Sequence, residues 1–260
     1  MEKKKSLGQH FLKSKTALKS MVESSATNQN DVIVEIGPGE GVLTSELLKI
    51  AGKVISIEKD HRLIPILEEK FKEEIKSGKL EILEKDILEF DPKILDSKYK
   101  VVANIPYYIT GQILRMFLES DFQPESMTLL VQKEVAERIV ARDGKENLLS
   151  LSVKVFGKPV LVRTVGKGAF SPSPNVDSAI LYIKDISKEN LKNLDSEMFF
   201  SVIHAGFAHK RKQLLPNLAS LYSKEKLIET FKICDIDSRS RAEDISLLTW
   251  IRLCNIIVSW

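Results

Sequence analysis

The sequence predicts a doubly wound α/β domain followed by a small all-α domain. Three observations carry that prediction. Short β-rich runs alternate with amphipathic helical stretches between residues 31 and 132, the pattern of a parallel sheet with crossover helices. A glycine-rich turn with Gly37, Gly39 and Gly41 closes the first of those runs. Strand-like alternation stops near residue 186, and only helical periodicity continues beyond it. With 260 residues and 43% hydrophobic content, the chain is long enough for one large core and a smaller one.

The β-rich runs are DVIVEI (31–36), KVISIE (53–58), LEILEKD (80–86), YKVVAN (99–104) and SMTLLVQ (126–132). Each is short, branched or aromatic in character, and bounded by polar or glycine residues. Apolar residues at helical spacing over 42–51, 63–71 and 109–118 supply the crossovers. Two further strands, PVLVRTV (159–165) and SAILYIKDI (178–186), bracket the proline-rich FSPSPNVD (170–177). Polar KDISKENLKNLDSE (184–197) reads as a linker, and helices are expected over 198–208, 224–234 and 246–258. The expected domains are therefore 1–186 and 187–260, with no internal repeat or low-complexity segment.

Lys and Arg total 39 against 36 Asp and Glu, so net charge says little about partners, whereas its distribution says more. The first 19 residues carry Lys3, Lys4, Lys5, Lys13, Lys15 and Lys19 against Glu2 alone, and HKRKQ (209–213) is a second basic knot. Either run by itself is more often a solvated face than a binding site. Cys234 and Cys254 show no Cys-x-x-Cys spacing, which excludes a disulfide framework or a cysteine zinc site. His10, His61, His204 and His209 show no ligand spacing either, so no metal is expected. No apolar run approaches the ~18 residues of a membrane span and no signal-peptide core opens the chain, so a cytoplasmic protein without membrane attachment is expected. Trp250 and Trp260 fall in an apolar helical pattern and read as packing residues, and Arg239 and Arg241 read as capping residues.

VEIGPGEGVLT (34–44) is a strand, a glycine turn and a helix start, an arrangement that lets backbone approach a nucleotide-like ligand. A P-loop would place Gly-Lys-Ser/Thr after the turn, where this chain has Gly41-Val42-Leu43. The dinucleotide fingerprint Gly-x-Gly-x-x-Gly is also missed, because the third glycine comes one residue early, and NAD is the second choice. Glu58 and Asp86 end successive strands. A carboxylate about 20 residues beyond the first glycine accepts hydrogen bonds from ribose hydroxyls, and one a strand further on reaches an adenine amine. Adenosine without phosphates suits two acids with no cation beside them, and S-adenosylmethionine is such a ligand. The competing reading is that each acid only caps the segment after it.

ANIPYYI (103–109) ends the fourth strand with an amide, a residue held extended by proline, and an aromatic. Beside a sulfonium methyl donor, the Asn104 side-chain oxygen and the Ile105 carbonyl are acceptors for the hydrogens of an exocyclic base amine, whose lone pair they localise. Pro106 holds that carbonyl outward and Tyr107 offers a stacking face for an extruded base. The competing reading is an ordinary strand-to-helix turn with a core tyrosine.

At this point the chain resembles the ribosomal RNA adenine N6-dimethyltransferases, in particular the bacterial small-subunit (16S) type. KKSLGQHFL (4–12), VEIGPGEGVLT, IEKD (57–60), KDIL (85–88), ANIPYYI, VQKEVAERIVA (131–141), FSPSPNVDSA (170–179), FAHKRKQL (207–214) and RAEDIS (241–246) stand in the family's order across nearly the whole chain. The resemblance implies a Rossmann-like class I S-adenosylmethionine-dependent methyltransferase domain with a helical RNA-docking domain behind it. It also implies His10 and Leu12 over the methyl donor, Gly37 at the donor, Glu58 at its ribose, Asp86 at its adenine and Asn104 at the transfer point. Phe170 is implied as a second aromatic that sandwiches the target base with Tyr107, and Lys210, Arg211 and Lys212 as phosphate contacts. The implied substrate is two adjacent adenosines near the 3′ end of small-subunit rRNA, free or in an immature small subunit, and the expected form is a monomer. Departures from the family pattern are Tyr108 in place of Asn, TGQ (110–112) in place of Ser-Thr-Pro, and a less arginine-rich basic run. Three rivals remain: a large-subunit adenine methyltransferase of the macrolide-resistance type, a non-catalytic ribosome-assembly module, and a small-molecule N-methyltransferase.

Overall fold

A computed structural model of the protein describes residues 10–95 and 97–260, so Lys3, Lys4 and Lys5 of the basic N-terminal cluster lie outside the described residues. In chain order come β1 (Phe11–Leu12), α1 (Lys15–Ser24), β2 (Val32–Ile36), α2 (Val42–Ile50), β3 (Lys53–Glu58), α3 (Ile64–Lys70), α4 (Lys72–Lys76), β4 (Leu80–Glu84) and β5 (Tyr99–Asn104). There follow α5 (Thr110–Glu119), β6 (Ser126–Gln132), α6 (Lys133–Val140), α7 (Leu148–Lys154), β7 (Lys158–Val165), β8 (Phe170–Ser171) and β9 (Ser178–Lys184). The chain ends with α8 (Ser196–Gly206), α9 (Leu214–Leu218), α10 (Lys224–Ile233) and α11 (Leu247–Val258).

Seven strands form one sheet in the order β4-β3-β2-β5-β6-β9-β7, and β1 pairs with β8 in a separate ribbon. Strands β4 to β6 run parallel, and β9 runs antiparallel to both β6 and β7. Val101, Val102 and Ala103 of β5 and Leu129, Leu130 and Val131 of β6 are fully buried, as strands covered on both faces require. The register sets Ile36 opposite both Ile57 and Ala103. The residues that follow each, Gly37, Glu58 and Asn104, therefore emerge side by side at the carboxyl edge of the sheet. The chain winds from β2 toward β4 in one direction and from β5 toward β6 in the other, so this edge is the switch point where doubly wound sheets hold ligands.

The helix expected over 63–71 is present as α3 and ends at Phe71, which leaves helical geometry (φ −115°, ψ 28°) and is buried. The domain layout differs from the sequence expectation. Residues 137–157, expected in the first domain, cluster with the second: one compact unit comprises the described residues up to Ala136 with Lys158–Ile186, the other Glu137–Gly157 with Ser187–Trp260. The expected boundary at 186/187 coincides with the return crossing between units. The inserted segment is held there by long-range contacts that carry no local signature, with Glu146 N donating to Glu243 O (2.8 Å), Ser187 N to Phe156 O (2.8 Å) and the Phe156 ring 6.2 Å from Phe200. The second unit packs around Trp250, fully buried and stacked on Phe207 at 5.9 Å, and both cysteines are buried thiols.

Candidate active site

A cleft opens at the carboxyl edge of β2, β3 and β5, walled by His10, Gly37, Glu58, Asp86, Asn104 and Tyr107 among others. Its floor is apolar, with Ile36, Ile57 and Ile87. The glycine turn after β2 has positive φ at Gly37 (+65°) and Gly41 (+72°). A Cβ on Gly37 would meet nothing within 4 Å, so the turn faces open space there, whereas one on Gly41 would lie 2.5 Å from the Phe71 ring. Only glycine satisfies both backbone and packing at the second position. Lys70 braces the turn from behind, its Nζ donating to Glu40 O (2.8 Å) and Gly41 O (3.0 Å).

Glu58 is 6% exposed. Its Oε1 accepts from Asp60 N (2.8 Å) and its Oε2 from Gly39 N (3.2 Å), which ties the end of β3 to the glycine turn. Burial raises its pKa more than these bonds lower it. Asp86 accepts from Leu88 N (3.1 Å), so it does cap the short turn after β4 while also facing the cleft. Its second oxygen accepts from Lys59 Nζ at 2.6 Å, and that hydrogen bond holds its carboxyl below the usual value. Lys59 and Lys85 both line the cleft, which corrects the expectation that no cation stands near the two acids. Lys59 is held by Asp86, and Lys70, the cation at the glycine turn, bonds the turn's carbonyls and is not on the cleft wall, so among the described residues no lysine on the cleft side is paired with the turn as a pyrophosphate would need.

At the transfer end, Asn104 Nδ2 donates to the His10 main-chain oxygen at 2.9 Å, and Oδ1 has no described partner. The His10 ring donates from Nδ1 to Pro172 O (2.8 Å) and stacks on Tyr107, centroids 5.8 Å apart and planes 26° apart. Tyr107 is anchored by a 2.6 Å hydrogen bond between its hydroxyl and Ser178 Oγ. The β1–β8 ribbon holds this strap in place, pairing Phe11 with Ser171 and Leu12 with Phe170. Leu12 is buried at the rear of the glycine turn and is not on the cleft wall. Phe170 corrects the expected sandwich: it is 5% exposed, packs in the core with Leu12 and Val165, and does not line the cleft. The ring that faces Tyr107 is that of His10, and the aromatic against the glycine turn is Phe11, whose Cε1 a Gly39 Cβ would meet at 2.7 Å.

Sequence reasoning also missed Glu35. Its carboxyl is 1% exposed, with Oε2 accepting from Thr44 and Ser56 hydroxyls (both 2.7 Å) and Oε1 unpartnered. Burial is the main cause of a pKa raised to about 7. The visible signal was an acid inside an otherwise apolar strand. Lys210, Arg211 and Lys212 are exposed on the turn between α8 and α9, which Asn217 braces by donating to Gly206 O (2.6 Å) and His209 O (3.3 Å). Among the described residues no group of three or more His, Cys, Asp or Glu could hold a metal ion, and no helix is long and apolar enough to cross a membrane.

The residues present fit an adenosine-bearing donor: an open glycine turn, an apolar floor and two carboxylates at neighbouring strand ends. Solved structures of the same architecture include a dimethyladenosine transferase from Plasmodium falciparum, with TM-score 0.81 and 25% identity over 94% of this chain and 96% of that one. Another is the 23S rRNA methyltransferase ErmE, with TM-score 0.78 and 24% identity over 95% and 99%. Fold and cleft together define a Rossmann-like class I S-adenosylmethionine-dependent methyltransferase with a helical C-terminal region. The family described as ribosomal RNA adenine dimethylase matches residues 1–259. Proteins named ribosomal RNA small subunit methyltransferase A are 43% identical in Dehalococcoides mccartyi strain CBDB1, over 98% of this chain and 88% of the relative, and 40% identical in Fusobacterium nucleatum, over 97% of each. The chain belongs to the ribosomal RNA adenine dimethylase family.

Proposed function

We propose that the protein dimethylates N6 of two adjacent adenosines in a hairpin loop near the 3′ end of small-subunit (16S) rRNA, using S-adenosylmethionine, during small-subunit assembly in the cytoplasm. The observation that carries this reading is Asn104: its amide nitrogen is occupied by the His10 carbonyl, which leaves Oδ1 as an acceptor at the strand edge beside Gly37 and Glu58.

The donor supplies an electrophilic methyl carbon. Gly37 would give it room, Glu58 would receive its ribose hydroxyls, Asp86 would receive its adenine amine, and His10 would lie over it on a strap that the buried Leu12 anchors from behind. Asn104 Oδ1 and the Ile105 carbonyl accept from the adenine amine of the RNA, concentrating its lone pair toward the methyl carbon. The thioether S-adenosylhomocysteine would be the leaving group, and no ionised general base is required, because the alkylated nitrogen is acidic and would lose its proton to water; positioning and fixed dipoles carry the reaction. Tyr107 stacks on the extruded base, which a loop releases at lower cost than a duplex. Lys210, Arg211 and Lys212 bind phosphates. The protein acts as a monomer on rRNA or an immature subunit.

The test supplies purified protein with labelled donor and small subunits lacking the modification, followed by primer extension on both ribosomal RNAs. Two adjacent stops on 16S rRNA, lost in Asn104→Ala, are expected. Stops on 23S rRNA would favour the large-subunit rival, and RNA binding without methyl incorporation would favour a non-catalytic module.

A further inference from the structure

We infer that Tyr108 is part of the donor site and that its ring closes over the adenine of S-adenosylmethionine, an inference that rests on the methyl-donor reading above. Tyr107 and Tyr108 share a single 3₁₀ turn, Tyr107–Ile109, and diverge from it. The Tyr107 hydroxyl is bonded to Ser178 at the start of β9, two strands from β5 on one side. Tyr108 is close enough to Lys59, at the end of β3 two strands from β5 on the other side, to interact with it electrostatically. Lys59 in turn holds Asp86 at 2.6 Å. Both tyrosines line one cleft, but Tyr107 is tied toward β9 through Ser178, whereas Tyr108 lies within reach of Lys59 and so on the side of its partner Asp86.

Tyr108 is 66% exposed, yet it lines the cleft and makes no hydrogen bond or ring contact with a described residue. A large aromatic left open on a cleft wall has apolar surface to cover, and a flat purine between it and the Ile57 and Ile87 floor covers it. The target base is the other purine in the reaction. Its acceptors sit on the Asn104 side, so the observations favour the donor's adenine.

The experiment is calorimetric titration of wild-type protein, Tyr108→Ala and Tyr108→Phe with S-adenosylhomocysteine in the absence of RNA, alongside affinity for a 16S hairpin fragment. Circular dichroism checks that each variant is folded. Loss of the ring is expected to weaken the cofactor product about 5- to 30-fold, as for other base–aromatic stacks, while Tyr108→Phe stays within about twofold. RNA affinity is expected to be unchanged. Cofactor-product affinity of Tyr108→Ala within about twofold of wild type overturns the inference, and a loss confined to RNA would move the ring to the RNA side. Wild-type protein that fails to bind S-adenosylhomocysteine would instead overturn the donor reading on which the inference stands.

Discussion

Replacing Glu35 with Gln is expected to flatten the pH dependence of stability and to make the protein more stable than wild type at pH 8. The Glu35 carboxyl is fully enclosed, with both its hydrogen bonds on one oxygen and the other unpartnered. Burial outweighs the Thr44 and Ser56 hydroxyls, Glu58 repels the charge and Lys70 attracts it, and the pKa rises from 4.5 to about 7. An acid whose folded-state pKa is raised contributes stability that is fully present below pH 4.5 and is lost as pH climbs through about 7. At about 1.36 kcal/mol per pKa unit the whole span corresponds to roughly 3 kcal/mol, most of it between pH 5 and pH 8. Glutamine keeps an acceptor for the two hydroxyls and never ionises. Its amide nitrogen takes the unpartnered position, which costs about 1–2 kcal/mol at every pH. The variant should therefore be about 0–1 kcal/mol less stable than wild type near pH 5 and about 1–2 kcal/mol more stable at pH 8. Urea unfolding at pH 5, 6, 7 and 8, with both proteins in the same buffers, measures the difference directly. Two stability curves that run parallel across that range would refute the placement of an ionisable, partly unpartnered carboxyl under the glycine turn.

Three further outcomes follow from particular contacts. Gly41→Ala should lose about 1–3 kcal/mol in thermal unfolding and weaken donor binding, because positive φ and the Phe71 ring both oppose a Cβ; unchanged stability would show that the turn adapts. Phe170→Ala should lose about 3–5 kcal/mol of stability as a core deletion, and a variant with wild-type stability but weakened RNA binding would restore the base-stacking role. Joint replacement of Lys210, Arg211 and Lys212 by Gln should reduce the slope of log affinity for RNA against log salt by about 2–3, whereas an unchanged slope would remove them from the phosphate contacts.

What the sequence made legible and what it hid divide along physical lines. Strands β2, β3, β5 and β6 were readable because burial on both faces demands continuous branched apolar runs. Gly37, Glu58 and Asn104 were readable because each ends such a run, and the parallel register then brings them level. Phe170 was not, because its direction depends on pairing with a segment some 160 residues away, Leu12↔Phe170 and Phe11↔Ser171. In a ribbon two residues long, a slip of one position exchanges the side chain facing the cleft for the one facing the core. No local pattern encodes that choice. The same pairing that buries Phe170 beside Leu12 brings Phe11 against Gly39 and His10 onto Tyr107, so the aromatic motif around 170 acts on the cleft through the strap it anchors. Asn104 is linked to that strap by its bond to the His10 carbonyl. The orientation of the proposed methyl-transfer acceptor is thus set jointly by the end of β5 and by a ribbon distant in sequence, and loosening the ribbon should disturb the acceptor before it disturbs the sheet.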